Sequence, residues 1–98
     1  MVEELYNLIM FFVYMLKNKL GDLYTGITQN VDKRLLVHNS GRGALFTKGN
    51  IEFQLVFSEK YDTLIEARKR EIQIKKWRRE KKEMLIERFT KGLETRLK

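Results

Sequence analysis

Cysteine and proline are both missing from these 98 residues, and histidine and tryptophan occur once each. Without cysteine there is no disulfide, no thiolate metal site and no cysteine nucleophile, a composition that fits a reducing cytoplasm. The single histidine, His38, excludes a multi-histidine zinc or non-haem iron centre. The absence of proline argues against a hinge between domains, and no repeat or low-complexity tract is present. A chain of 98 residues suffices for one domain, so residues 1–98 read as one, with a polar tail over 90–98. No long apolar run exists either. The longest, Leu8 to Leu16, falls far short of the roughly 20 residues of a membrane-spanning helix. It follows Glu3 and Glu4, where a secretory signal would carry positive charge, and reads as a leader running into a buried strand. The expectation is a soluble, cytoplasmic protein that leaves the membrane alone, a monomer by default.

Acids are also few: 20 Lys and Arg face 13 Asp and Glu, for a net charge of +7. Such a balance on a small domain favours polyanionic partners, nucleic acid or an anionic membrane surface, or else only aids solubility; composition does not choose. Apolar residues make up 43% and aromatics 11%, enough for an ordered core. Phe11 to Leu16 and Leu23 to Thr28, around the turn Lys17-Asn18-Lys19-Leu20-Gly21-Asp22, predict a hairpin. Asn30 can cap a helix from Val31 to about His38. Gly41-Arg42-Gly43-Ala44 and Lys48-Gly49-Asn50 frame a basic loop, and Ile51 to Phe57 alternates with the period of a third strand. Thr63-Leu64-Ile65-Glu66 has capping-box spacing and opens a long helical stretch with a break near Trp77-Arg78. Residues from Thr90 onward are polar and expected to fray. The order β-β-α-β-α-α predicts an α/β fold: a small three-stranded antiparallel sheet flanked by helices.

Within that frame a few residues could carry chemistry. Tyr14 and Tyr24 sit on paired strands, where aromatics are usually core. Gly26 shares a strand face with Tyr24 and would leave room for a ligand beside the phenol. Arg34 and His38, four apart, share a helix face; a guanidinium grips phosphate oxygens and an imidazole moves protons. Glu71 falls on the stripe of Leu64, Ala67 and Ile74 that should meet the sheet, so this carboxylate needs a cation. Arg68 and Lys75, three and four residues away, would form a structural ion pair; a divalent metal is the other solution. The cations of Arg68 to Lys82, with Arg42 and Lys48, form either a solvated face or a phosphate-tracking surface.

Taken in order, these residues resemble the GIY-YIG nuclease superfamily, most of all its small single-domain bacterial members. The motifs appear as Val13-Tyr14-Met15 and Tyr24-Thr25-Gly26, followed by Arg34-Leu35-Leu36-Val37-His38-Asn39 and Arg70-Glu71-Ile72-Gln73-Ile74-Lys75-Lys76-Trp77. The similarity covers about residues 11 to 89. It departs from the family pattern in the first motif, which lacks its glycine and isoleucine, and in the second, where threonine replaces isoleucine. The resemblance implies an endonuclease that hydrolyses phosphodiester bonds in DNA with Mg²⁺ or Mn²⁺. It makes Tyr14 and Tyr24 the motif tyrosines, Arg34 the phosphate clamp, Glu71 the metal ligand and His38 a proton relay. A free phenol titrates near pH 10, so a tyrosine base would need its pKa depressed by Arg34, His38 or the metal. Gly26, Asn39, Arg42, Thr47, Lys48, Lys75, Lys76, Arg78 and Arg79 would contact or position the nucleic acid. Two other readings stand beside this one: a nucleic-acid-binding module with little or no catalysis, and an interaction protein in which the site residues are structural.

Overall fold

The computed structural model describes residues 10–40 and 52–96. The apolar leader before Met10, and Arg42, Thr47 and Lys48 of the expected basic loop, lie outside the described residues. The elements run β1 (Phe11–Asn18), β2 (Leu23–Thr28), α1 (Val31–Asn39), β3 (Phe53–Tyr61), α2 (Leu64–Lys76) and α3 (Arg79–Thr90). The three strands form one sheet in the order β2-β1-β3, with both pairings antiparallel.

β1 is the central strand and is covered on both faces, which explains its unbroken apolar sequence. Val13 and Met15 pack with Phe57, Ala67, Ile74, Leu85 and Ile86 beneath α2 and α3. Tyr14 and Leu16 point the other way, to a smaller cluster with Phe53, Tyr24, Leu35 and Leu55 on the α1 side. Asn18 closes the hairpin turn, its Oδ1 accepting from the backbone N–H groups of Leu20 (3.0 Å) and Asp22 (2.9 Å). Gly21 takes φ +87° there, a conformation that strains any residue with a Cβ.

The third strand departs from its expected form in two ways. It continues through Ser58-Glu59-Lys60-Tyr61, a polar stretch that resembles a strand end but pairs with Tyr14 back to Phe11. It also carries a bulge: Met15 opposes Phe57 and Leu16 opposes Leu55, leaving Val56 as the extra residue. The even-looking alternation of Phe53, Leu55 and Phe57 therefore divides between the two sheet faces. Phe53 and Leu55 serve the α1 cluster, and Phe57 serves the other.

Helix ends follow the sequence signals. Asn30 Oδ1 accepts from Lys33 N (3.0 Å), and Thr63 Oγ1 from Glu66 N (3.2 Å). The Glu66 carboxylate accepts from the Thr63 hydroxyl instead of a backbone N–H, so the box is half formed. The break falls where expected, with α2 ending at Lys76 and α3 beginning at Arg79.

The buried arc of α2 comprises Ala67, Arg70, Glu71 and Ile74, while Ile65 and Ile72 are exposed. Arg70 enters the core because Glu59 meets it. Its Nε and Nη2 donate to the two carboxylate oxygens at 2.9 and 3.1 Å. The Tyr61 hydroxyl donates to Glu59 as well (2.8 Å), and the guanidinium lies 5.2 Å from the Trp77 ring centroid. Of the described residues after Thr90, Thr95 and Arg96 are tied down, contrary to the expected fraying. Arg70 Nη2 donates to the Thr95 carbonyl (2.8 Å), and Arg96 stacks on Tyr61 at 4.8 Å while donating to the Lys60 carbonyl.

Candidate active site

The register of β1 and β2 places Tyr14 opposite Gly26 and Leu16 opposite Tyr24, so both tyrosines face α1 with ring centroids 6.1 Å apart. The turn into α1 is fixed locally: the Thr28 hydroxyl donates to the Asn30 carbonyl and accepts from the Asn30 N–H, both at 3.1 Å. That geometry sets where the first turns of α1 carry Lys33 and Arg34 relative to Tyr24. His38, one turn further, is buried against Tyr24 with 4.8 Å between ring centroids.

A cleft of about 830 Å³ opens beside β2. Tyr24, Gly26, Arg34 and Glu71 line it, together with Lys33 and Arg68. The structure thus brings four of the expected site residues around one cleft, Tyr24 and Gly26 from β2, Arg34 from α1 and Glu71 from α2. Tyr14 and His38 do not line the cleft. They stand behind it, Tyr14 only 1% exposed, with Tyr14 Oη 3.5 Å from His38 Nε2.

Gly26 does a different job from the one expected. The space left by its missing side chain is filled by Tyr14, whose hydroxyl would lie 2.8 Å from a Cβ placed there. The room is for the fold's own phenol.

Electrostatics separate the two tyrosines. Burial pushes the Tyr14 phenol far above its ordinary value and the neighbouring Tyr24 adds to this; the Arg34 guanidinium pulls the other way and is outweighed. The expected depression therefore does not occur at Tyr14, because desolvation of a phenolate there exceeds the help from one exposed cation. Burial, then Arg34, also hold His38 below the usual imidazole range, so it is neutral near pH 7. A protonated phenol beside a neutral imidazole is served by Tyr14 O–H donating to Nε2, which leaves the ring proton on Nδ1. That Nδ1 is buried and has no partner among the described residues.

Glu71 is 5% exposed and holds two cations at once. Arg68 Nη1 donates to Oε1 and Lys75 Nζ meets Oε2, each at 3.1 Å. The ion pair weighed from helix spacing is present in duplicate. No cluster of three His, Cys, Asp or Glu able to hold a metal occurs among the described residues. A carboxylate lining this open cleft nonetheless suits Mg²⁺ or Mn²⁺, hard cations that take one or two carboxylates and complete their shells with water and substrate oxygens.

The remaining expected contacts scatter. Asn39 commits its amide to β3, with Nδ2 donating to the Phe53 carbonyl (3.1 Å) and Oδ1 accepting from the Phe53 N–H (2.8 Å). It is a fold tie. Arg79 is engaged by Glu83 (2.7 Å) and the Gly21 carbonyl, beside the β1–β2 turn. Lys75 reaches Glu71 but is not part of the cleft wall, and Lys76 and Arg78 are exposed on the α2–α3 junction. Sequence reasoning passed over Lys33 altogether and placed Arg68 as an ion-pair partner of Glu71 or one of a long run of cations, not at the site; both line the cleft. Their adjacency to Arg34 and their i−3 spacing to Glu71 were the available signals.

Comparison with known proteins identifies the family and the fold. The family model described as the GIY-YIG catalytic domain matches residues 10–84. The chain belongs to the GIY-YIG family, a nuclease-type family. Among curated relatives, a UPF0213 protein of Staphylococcus saprophyticus is 47% identical over 75 residues, covering 76% of this chain and 92% of the relative. A UPF0213 protein of Staphylococcus epidermidis is 43% identical over 76 residues, covering 78% and 93%. The solution NMR structure of a UPF0213 protein from Bacillus halodurans superimposes with a TM-score of 0.53 at 40% identity, covering 80% of this chain and 83% of that one. No helix among the described residues is long and apolar enough to cross a membrane.

Proposed function

We propose that this chain is an endonuclease that hydrolyses phosphodiester bonds in DNA with the help of Mg²⁺ or Mn²⁺. The observation that carries the reading is that Tyr24, Arg34 and Glu71, from three different elements, line one cleft. Arg34, exposed on the first turns of α1, binds the non-bridging oxygens of the scissile phosphate and offsets charge as it builds. Tyr24, partly exposed beside the same cleft, acts in its phenolate form, which takes a proton from the attacking water and becomes the phenol. Glu71 is the residue that would hold the metal ion, whose Lewis acidity favours charge on the phosphoryl and leaving oxygens. Tyr14 and His38 support the Tyr24 ring from behind. Lys33 adds a second cation for the substrate backbone, and Lys76 and Arg78 extend the basic surface beyond the cleft.

The test is a nuclease panel of linear, branched and single-stranded DNA, with and without Mg²⁺ or Mn²⁺, run beside Glu71→Ala and Arg34→Ala. Metal-dependent cutting that both substitutions abolish is the expected result. Variants that cut as well as the parent at equal purity would end the assignment.

One observation favours a second reading. Both Glu71 oxygens are already paired with cations, as in a purely structural ion cluster. A nucleic-acid-binding module without catalysis would bind DNA in EDTA, lose affinity steeply with salt and cut none of the panel.

A further inference from the structure

Among the described residues, the charged ones lining the cleft are Lys33, Arg34 and Arg68 against Glu71, three cations to one carboxylate. Lys75 adds another positive charge to Glu71 from outside the cleft. A divalent cation approaching this carboxylate in the free protein meets like charge and finds both oxygens engaged. A substrate phosphate reverses that situation, because it brings negative charge and its own oxygen ligands to the same cleft.

The two cations on Glu71 differ in where they could go. Arg68 lines the cleft, and its side chain is 57% exposed, so its pair with Oε1 is weakly held and readily exchanged. Its planar fork also fits two phosphate oxygens better than one carboxylate oxygen engaged through Nη1 alone. Lys75 does not line the cleft, so nothing that binds there draws it from Oε2.

We infer that Arg68 is an exchangeable counter-ion, holding Glu71 Oε1 in the free protein and passing to a substrate phosphate when DNA enters the cleft. The carboxylate is thereby opened to a divalent cation only once substrate is present. Metal and DNA then bind with positive coupling, substrate favouring metal and metal favouring substrate by the same factor. This rests on the proposed role of Glu71 as metal ligand and makes Arg68 a positioning residue.

The test is titration calorimetry of Mn²⁺ into the full chain at constant ionic strength, with and without a short DNA duplex. The Tyr24→Phe background slows cleavage of the duplex, and a gel of the recovered DNA checks that it is uncut after the titration. DNA should tighten Mn²⁺ binding by about tenfold or more, and Mn²⁺ should tighten DNA binding equally by fluorescence anisotropy. Arg68→Gln should bind Mn²⁺ about tenfold more tightly without DNA, and its coupling should shrink to about twofold. Lys75→Gln should also tighten Mn²⁺ binding, since it removes a positive charge, yet keep the coupling. Coupling that is absent in the parent, or undiminished in Arg68→Gln, while Glu71→Gln still removes the Mn²⁺ site, would overturn the exchange and leave the proposed function standing. Mn²⁺ binding indifferent to Glu71→Gln would overturn both.

Discussion

Tyr14 and Gly26 face each other across β1 and β2, and the tyrosine hydroxyl lies where an alanine methyl would have to be, 2.8 Å from that carbon. The ring cannot swing aside, because Tyr14 is among the most deeply buried side chains of the fold. Gly26→Ala should therefore cost about 1–3 kcal/mol, as overpacking of a tight core does. Adding Tyr14→Phe removes the nearest atom and should restore part of the loss in urea titrations. A Gly26→Ala protein as stable as its parent would refute the contact.

The same buried pair of side chains predicts how stability depends on pH. His38 is held below its ordinary value of 6.5, so it takes up a proton more readily when unfolded. Its contribution is complete above that pH and is lost as pH falls through the lower folded value. Tyr14 acts in the opposite sense. Its contribution is complete below the ordinary value of 10.0 and is lost as pH rises toward the higher folded one. Urea midpoints should fall on both flanks, with the acid arm flattened in His38→Gln and the alkaline arm in Tyr14→Phe. An acid arm unchanged in His38→Gln would remove the histidine from the account.

Cleavage should distinguish the two tyrosines. Tyr24→Phe is expected to lower turnover at least about 10²-fold, the usual scale for losing a general base, with stability near that of the parent. Tyr14→Phe should lower it much less, since that phenol lies behind the cleft and holds its proton. Equal losses from both substitutions would contradict the assignment of Tyr24 as the base.

Two buried glutamates should respond differently to truncation. Glu59→Ala leaves the Arg70 guanidinium, itself 8% exposed, without its carboxylate, and should cost about 3–5 kcal/mol. Glu71→Ala releases Arg68 and Lys75, whose side chains are both more than half exposed, and should cost about 1 kcal/mol or less. Thermal melts of the two variants side by side decide the matter. A loss at Glu71 as large as that at Glu59 would favour a structural role for the carboxylate.

Much of the fold was legible because local signals agreed with one another. The hairpin, the caps at Asn30 and Thr63 and the break before Arg79 rest on short-range chemistry that tertiary packing left alone. What escaped was the work of long-range pairing. Glu59 and Lys60 read as a strand end, yet Glu59 is buried by its fork to Arg70, a partner eleven positions on that counted as one more surface cation. The bulge at Val56 leaves no trace in a two-residue alternation. In the candidate site, the residue types were visible but their depth was not. Only the packing of α1 puts Tyr14 and His38 behind Tyr24, and only the register makes Gly26 a seat for Tyr14. Asn39 was expected to contact or position nucleic acid; its actual partners are backbone groups, which sequence patterns do not display.

The two ends of β3 are fastened to different helices. Phe53 is clasped by Asn39 at the end of α1, and Glu59 by Arg70 in α2. The strand thus works as a ruler between the helix that carries Arg34 and the helix that carries Glu71. Its bulge is one graduation of that ruler. Removing Val56 would shorten the measure by one residue and force one fastening or the other to let go. The gap across which the proposed function would have a phosphate gripped is set by counting residues in a strand that does not line it.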